Sequence, residues 1–166
     1  MFDDIKVIDK FLSDDELNKV RYKLNAPKWS FTGGGVDDIN QSLTSKFWHM
    51  NNLDEYFSDD IFNKIKNHFH IKGKLLRTYA NGQTATQSGV PHYDDGDVTF
   101  LLFTEKWYHQ WGGNLFFSTD DEVVKVITYK QNRGVLFPSK ILHYAGAPDK
   151  TYDGLRVSVA WKIKYE

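Results

Sequence analysis

Residues 97–104 read DVTFLLFT, a short run of β-branched and aromatic residues that follows the turn-forming Asp94-Asp95-Gly96. Such a run, bounded by turn residues, is the signature of a β-strand. Working outward, five more segments share its texture: 74–80 (KLLRTYA), 113–117 (GNLFF), 122–129 (EVVKVITY), 133–137 (RGVLF) and 155–163 (LRVSVAWKI). Gly, Asn, Asp or Pro separates them. Short strands in regular succession after Gly73 argue for an all-β sandwich or barrel.

Before Gly73 the pattern differs. Ile5 to Ile8 reads as a short strand, and Ser13-Asp14-Asp15-Glu16 as a capping box, with the Ser13 hydroxyl and the Glu16 carboxylate satisfying free amides reciprocally. Leu17, Val20, Tyr22 and Leu24 then supply an apolar face for a helix ending near Asn25, ahead of Pro27. Residues 28–50 scatter Trp29, Phe31, Phe47 and Trp48 around Thr32-Gly33-Gly34-Gly35-Val36-Asp37-Asp38, whose glycines predict a mobile loop. A second helix is expected where Phe57, Ile61, Ile65 and Phe69 recur at intervals of four, with Phe62 widening the stripe. The expectation is a mainly β chain: two supporting helices within 1–72, packed outside an antiparallel double sheet over 73–166. No linker divides it, so 1–166 reads as one domain.

The chain has 166 residues, of which 40% are hydrophobic and 16% aromatic, a composition that excludes disorder. Twenty-one basic and 22 acidic residues nearly cancel, so no global field favours nucleic acid or an anionic membrane. The absence of cysteine removes disulfides, thiolate metal sites and a Cys nucleophile. MFDDIKVIDKF carries no basic segment followed by an apolar one, and no apolar run approaches the roughly 20 residues that span a bilayer. The expectation is a soluble, cytoplasmic protein.

The chemistry gathers in Val90-Pro91-His92-Tyr93-Asp94-Asp95-Gly96-Asp97. In extended chain, residues i and i+2 share a face, so His92 and Asp94 project together. His143 lies far along the chain, between the strand ending at Phe137 and the next, a separation compatible with one site in a jelly roll. Two imidazoles and one carboxylate on one side of a metal leave the opposite positions open, the facial triad of non-haem Fe(II) oxygenases. Arg156, on the last long strand, adds a permanent charge whose burial is costly unless an anion meets it. The far carboxylate of an oxo diacid would do so through a bidentate pair. Ser158 shares that strand face and offers one more hydrogen bond.

The segments LLRTYANGQ, PHYDD, FLLFTEKWYHQWGGNLFF, RGVLFPSKILHYAGAP and LRVSVAWK, in this order, resemble the prolyl-4-hydroxylase-like branch of the 2-oxoglutarate- and Fe(II)-dependent dioxygenases. The resemblance covers residues 75–163, and FLSDDELNKV more loosely. It implies a double-stranded β-helix, the cupin-like jelly roll, with Fe(II) on His92, Asp94 and His143. It implies that Arg156 binds the distal carboxylate of 2-oxoglutarate and that Tyr79 lines the cosubstrate pocket. It further implies hydroxylation of a prolyl residue in a peptide or protein, using O2, releasing succinate and CO2, with ascorbate as an accessory reductant. The chain departs from the branch at Phe100-Leu101-Leu102-Phe103, where a tyrosine often assists the arginine; Tyr79, Thr99 and Ser158 are the candidates for that place.

Each residue has a plainer reading. Arg156 could form an internal ion pair, Tyr79 could be core, and Gly112-Gly113 could be a bulge or close backbone approach. Trp29, Trp48, Trp107, Tyr108 and Trp111 could rim a substrate groove or serve the core. His49, His68, His70 and His109 read as surface or interface residues, and Asp95 and Asp97 as a solvated turn. Competing functions keep the iron site but act on a free amino acid or an alkylated base, or bind a metal or small acid without catalysis. Dealkylating relatives carry a second arginine six residues after the cosubstrate arginine, where this chain has Lys162.

Overall fold

The computed structural model describes residues 2–33, 46–51 and 53–166. Of the glycine-rich segment expected as a loop, residues 34–38 lie outside the described residues.

A short strand, β1 (Lys6–Asp9), leads into helix α1 (Asp14–Leu24). The helix starts where the capping box places it: Glu16 N donates to Ser13 Oγ at 3.3 Å, and Ser13 N to Glu16 Oε2 at 2.7 Å. Leu17, Val20 and Leu24 are buried as expected, but Tyr22 is 81% exposed. Two residues past Val20 amounts to some 200° of helix rotation, which carries Tyr22 to the solvent side. The second helix forms in two parts: a π-helical turn over Tyr56–Ile61 runs directly into α2 (Phe62–Phe69). Phe57, Ile61, Phe62 and Ile65 are buried along it, with Phe69 at the edge of the core.

Two strands that the sequence did not announce precede this helix, β2 (Ser30–Gly33) and β3 (Lys46–Met50). Beyond it come β4 (Gly73–Gln83), β5 (Val98–Phe103), β6 (Leu115–Ser118), β7 (Val123–Ile127), β8 (Arg133–Pro138), β9 (Leu142–Ala145) and β10 (Arg156–Tyr165). They form two antiparallel sheets, one of seven strands in the order β1-β8-β5-β10-β4-β3-β2, the other β7-β6-β9. A single bridge between His92 and His143 extends the smaller sheet by one more position. His143 was expected between strands; it sits inside β9, opposite Phe117 of β6.

The period-two alternation of β10 assigns its two faces. Val157, Val159, Trp161 and Ile163 join Leu17, Val20, Phe57 and Ile65 in the core beneath the helices, where Trp161 Nε1 donates to Phe57 O at 2.8 Å. Each fully buried side chain of that size stabilises by about 1.5–3 kcal/mol. The opposite face carries Arg156, Ser158, Ala160 and Lys162, which the same alternation turns toward the smaller sheet. A second cluster, including Phe103, Phe117, Val135 and Phe137, fills the space between the sheets. Among the described residues no helix is long and apolar enough to cross a membrane.

Candidate active site

The site lies where a single bridge joins His92 to β9 of the smaller sheet. His92 and His143 exchange backbone hydrogen bonds, His92 N to His143 O at 3.0 Å and His143 N to His92 O at 3.1 Å. This pairing sets two residues 51 positions apart side by side, with imidazole centroids 4.5 Å apart. Each imidazole places its Nδ1 2.8 Å from a carbonyl two residues earlier, His92 to Val90 O and His143 to Ile141 O. A carbonyl only accepts, so Nδ1 carries the proton and Nε2 presents a lone pair. Both Nε2 atoms face Asp94: His92 lies 3.6 Å from Oδ1 and His143 3.2 Å from Oδ2. The three ligand atoms fall within 4.8 Å of one another.

Asp94 is fixed from behind. Its amide donates to Ser139 O at 2.9 Å, Thr99 Oγ1 donates to Oδ2 at 2.7 Å, and the Lys162 ammonium contacts the same oxygen. Burial opposes ionisation, but the two imidazoles and the Lys162 ammonium gathered around the carboxyl outweigh it and hold it far below its usual range. Burial pushes His143 below its ordinary value, with Asp94 only partly restoring it, so the imidazole is neutral at physiological pH. An ionised Asp94 and a neutral His143 are the protonation states a divalent metal requires of those two residues.

A cavity of about 260 Å³ adjoins this cluster, with Tyr79, Asn81, Gln83, Ser158, His92 and Asp94 on its walls. Tyr79 and Ser158 thus both stand on the wall of the cavity that adjoins the cluster. Thr99 does not reach the cavity; its hydroxyl is committed to Asp94. Arg156 is 1% exposed and lies behind the wall, donating from Nη1 to Gln83 Oε1 at 2.9 Å and from Nε to Gly113 O at 2.7 Å. Its carbon Cζ is 4.8 Å from the Tyr129 ring centroid and 5.5 Å from that of Phe103. Among the described residues it has no carboxylate partner, which removes the internal ion pair as an account of it. Burial alone depresses this guanidinium to about 10, with the nearby tyrosines opposing the shift.

Several residues were missed or misplaced by sequence reasoning. His49, read as a surface or interface residue, lines the cavity, 2.8 Å from Asn81 Oδ1 and 5.1 Å from the Tyr79 ring centroid. It does so because β3 pairs with β4, and β3 carried no strand signal. Gln83 and Tyr129 flank Arg156 without any motif to mark them. No tryptophan lines the cavity: Trp107 and Trp111 pack with Tyr152, and Trp29 and Trp161 with the helical core. The aromatic residues that line the cavity are Phe47, Tyr79 and Tyr93 instead. Asp95 and Asp97 are turn residues, paired with Arg77 and Lys164.

The same architecture occurs in solved oxygenases. A viral collagen prolyl hydroxylase from Paramecium bursaria Chlorella virus-1, in complex with 2-oxoglutarate, superposes with a TM-score of 0.68 at 15% identity, covering 98% of this chain and 97% of that one. The fold is that of the 2-oxoglutarate oxygenases. A Trichoplax adhaerens prolyl hydroxylase in complex with a hypoxia-inducible-factor peptide fragment gives 0.67 at 16% identity, over 95% of this chain and 82% of its own. A non-haem α-ketoglutarate-dependent carbocyclase from nogalamycin biosynthesis gives 0.70 at 11%, over 98% and 79%. No family model and no curated protein matches the sequence.

Proposed function

We propose that this protein is a 2-oxoglutarate- and Fe(II)-dependent dioxygenase that hydroxylates an unactivated C–H bond of a prolyl residue in a peptide or protein, releasing succinate and CO2. The observation that carries the proposal is the donor set: two imidazole Nε2 atoms with fixed tautomers and one ionised carboxylate within 4.8 Å of one another, with His92 and Asp94 on the cavity wall and His143 buried beside them. Two nitrogens and one oxygen fit ferrous iron with open coordination positions.

In this reading His92, Asp94 and His143 hold the metal, which when bound supplies the activation of dioxygen against 2-oxoglutarate. Arg156 provides the charge for the distal carboxylate. The ligand reaches it by sharing or displacing the Gln83 amide, since Gln83 stands between the guanidinium and the cavity. Ser158, on the same strand face and on the wall, adds a hydroxyl donor, and Tyr79 closes the side of the pocket. The buried, acceptor-poor surroundings of Arg156 strengthen the attraction for an anion and keep water from competing.

A peptide substrate is supported by the peptide-bound Trichoplax relative and by the aromatic lining of Phe47, Tyr79 and Tyr93. A small-molecule substrate is the second reading, favoured by the carbocyclase of the same fold and by the modest cavity. The deciding experiment supplies purified protein with Fe(II), 2-oxoglutarate, ascorbate and oxygen, offers either a proline-containing peptide or free amino acids, and follows succinate and the gain of one oxygen atom by mass spectrometry. His143→Ala should abolish turnover; retained turnover rules out the site.

A further inference from the structure

Lys162 lies on the inner face of β10, and its side chain is 2% exposed. Its ammonium contacts Asp94 Oδ2 and is 3.3 Å from Thr99 Oγ1, with the Tyr79 ring centroid 5.7 Å away. Asp94 Oδ1 faces the other way, toward His92. One oxygen of the carboxylate thus faces His92, and the other, which faces His143, is shared with a threonine and a buried cation.

Groups that support a metal-ligating carboxylate from outside hydrogen-bond and orient it. Lys162 also brings a full positive charge to it. A buried carboxylate without a counter-charge is unfavourable, and an ammonium in contact neutralises it. A metal dication arriving at Oδ1 meets a carboxylate whose charge is already balanced. It also meets a second cation across a few ångströms of poorly screening interior, where charge repulsion is strong. Lys162 therefore stabilises the metal-free site more than the metal-bound one.

We propose that Lys162 is a built-in counter-cation of the Asp94 site, standing in for the charge of the metal when none is bound and competing with it for the same carboxylate, so that it preserves the empty site and weakens metal retention. The proposal rests on reading His92, Asp94 and His143 as metal ligands.

The test titrates manganese(II), a redox-stable probe, into chelator-treated wild type, Lys162→Met and the double variant Asp94→Asn, Lys162→Met. Binding is read by calorimetry and stability by thermal melting. Lys162→Met should lower the melting temperature of the metal-free protein, gain more from manganese than wild type does, and bind it about tenfold more tightly. The double variant, which retains neither charge, should melt above the single variant without metal. Equal manganese increments in wild type and Lys162→Met would overturn the proposal by reducing the lysine to packing, and weaker binding in the variant would overturn it by making the lysine a simple support. If Lys162→Met does not fold without metal, a folded double variant supports the proposal and an unfolded one overturns it. Wild type that takes up neither manganese nor ferrous iron overturns the metal-site reading itself, and this proposal with it.

Discussion

Arg156 donates from Nη1 to Gln83 Oε1 at 2.9 Å and has no anionic partner among the described residues, although it is 1% exposed. A buried guanidinium held only by neutral acceptors is a cost to the fold, and it makes stability and ligand binding separable. Replacing a buried charge with an apolar side chain of similar length is often neutral or stabilising. Losing a buried charge–carboxylate contact costs about 2–5 kcal/mol of binding. Arg156→Met is therefore expected to melt at or above the wild-type temperature and to bind 2-oxoglutarate at least about 30-fold more weakly. Thermal melting and isothermal titration on one preparation check both halves. A variant that loses stability and keeps its affinity would contradict this account of Arg156.

Gly113 controls the same guanidinium from the other side. Its φ is +65°, and an added Cβ would lie 2.9 Å from Trp107 Cζ2 and 3.0 Å from Arg156 Cδ and Nε. Gly113→Ala should cost about 1–2 kcal/mol from the left-handed backbone alone, with more from the clash. It should also raise the KM for 2-oxoglutarate, because Arg156 must shift and its bond to Gly113 O is strained. Gly112→Ala, with φ +61° but a 3.5 Å gap to Ala147 O as its closest contact, serves as the control: a backbone penalty with little change in KM.

What the sequence made legible follows from which interactions are local. The capping box and the strands after Gly73 are written in neighbouring residues, and both appear as expected. His92 and Asp94 were readable because strand geometry aligns i and i+2, and His143 and Arg156 because their order along the chain resembles a known pattern. The strands β2 and β3 were illegible because their polar, aromatic and glycine mixture has no period. β3 is held by pairing with the edge of β4, and β2 by pairing with β3. Lys162 had a sequence position but no partner until β5 and β10 were seen in register, with Lys162 opposite Thr99. Gln83 reaches Arg156 for the same reason, through the pairing of β4 and β10.

The helical support is tested most simply at its cap. Ser13→Ala removes the acceptor for Glu16 N and should destabilise the protein by about 1 kcal/mol in urea unfolding. Because the capping box is remote from the cavity, kcat and the KM for 2-oxoglutarate should be unchanged below the melting range. A loss of activity without a loss of stability would mean that α1 contributes to the site directly.

Acid sensitivity of the metal-free protein should begin near neutrality, and His143 is the reason. Burial lowers its folded value below the 6.5 of the unfolded chain. Between those two values the unfolded state binds a proton that the folded state does not, so stability rises with pH and falls on acidification, by at most about 1.4 kcal/mol per pH unit for one group. Asp94 acts in a separate, lower window. Its folded value is held below 3.8, so its contribution is complete above 3.8 and is lost as the pH falls beneath it. Urea unfolding in the presence of a chelator, at intervals from pH 7.5 to 4.5, should show stability declining once the pH passes below 6.5. The His143→Gln variant should show a flatter profile across the same interval, because the group that takes up the proton on unfolding is gone. An identical slope in both proteins would mean that His143 is not held neutral by its burial.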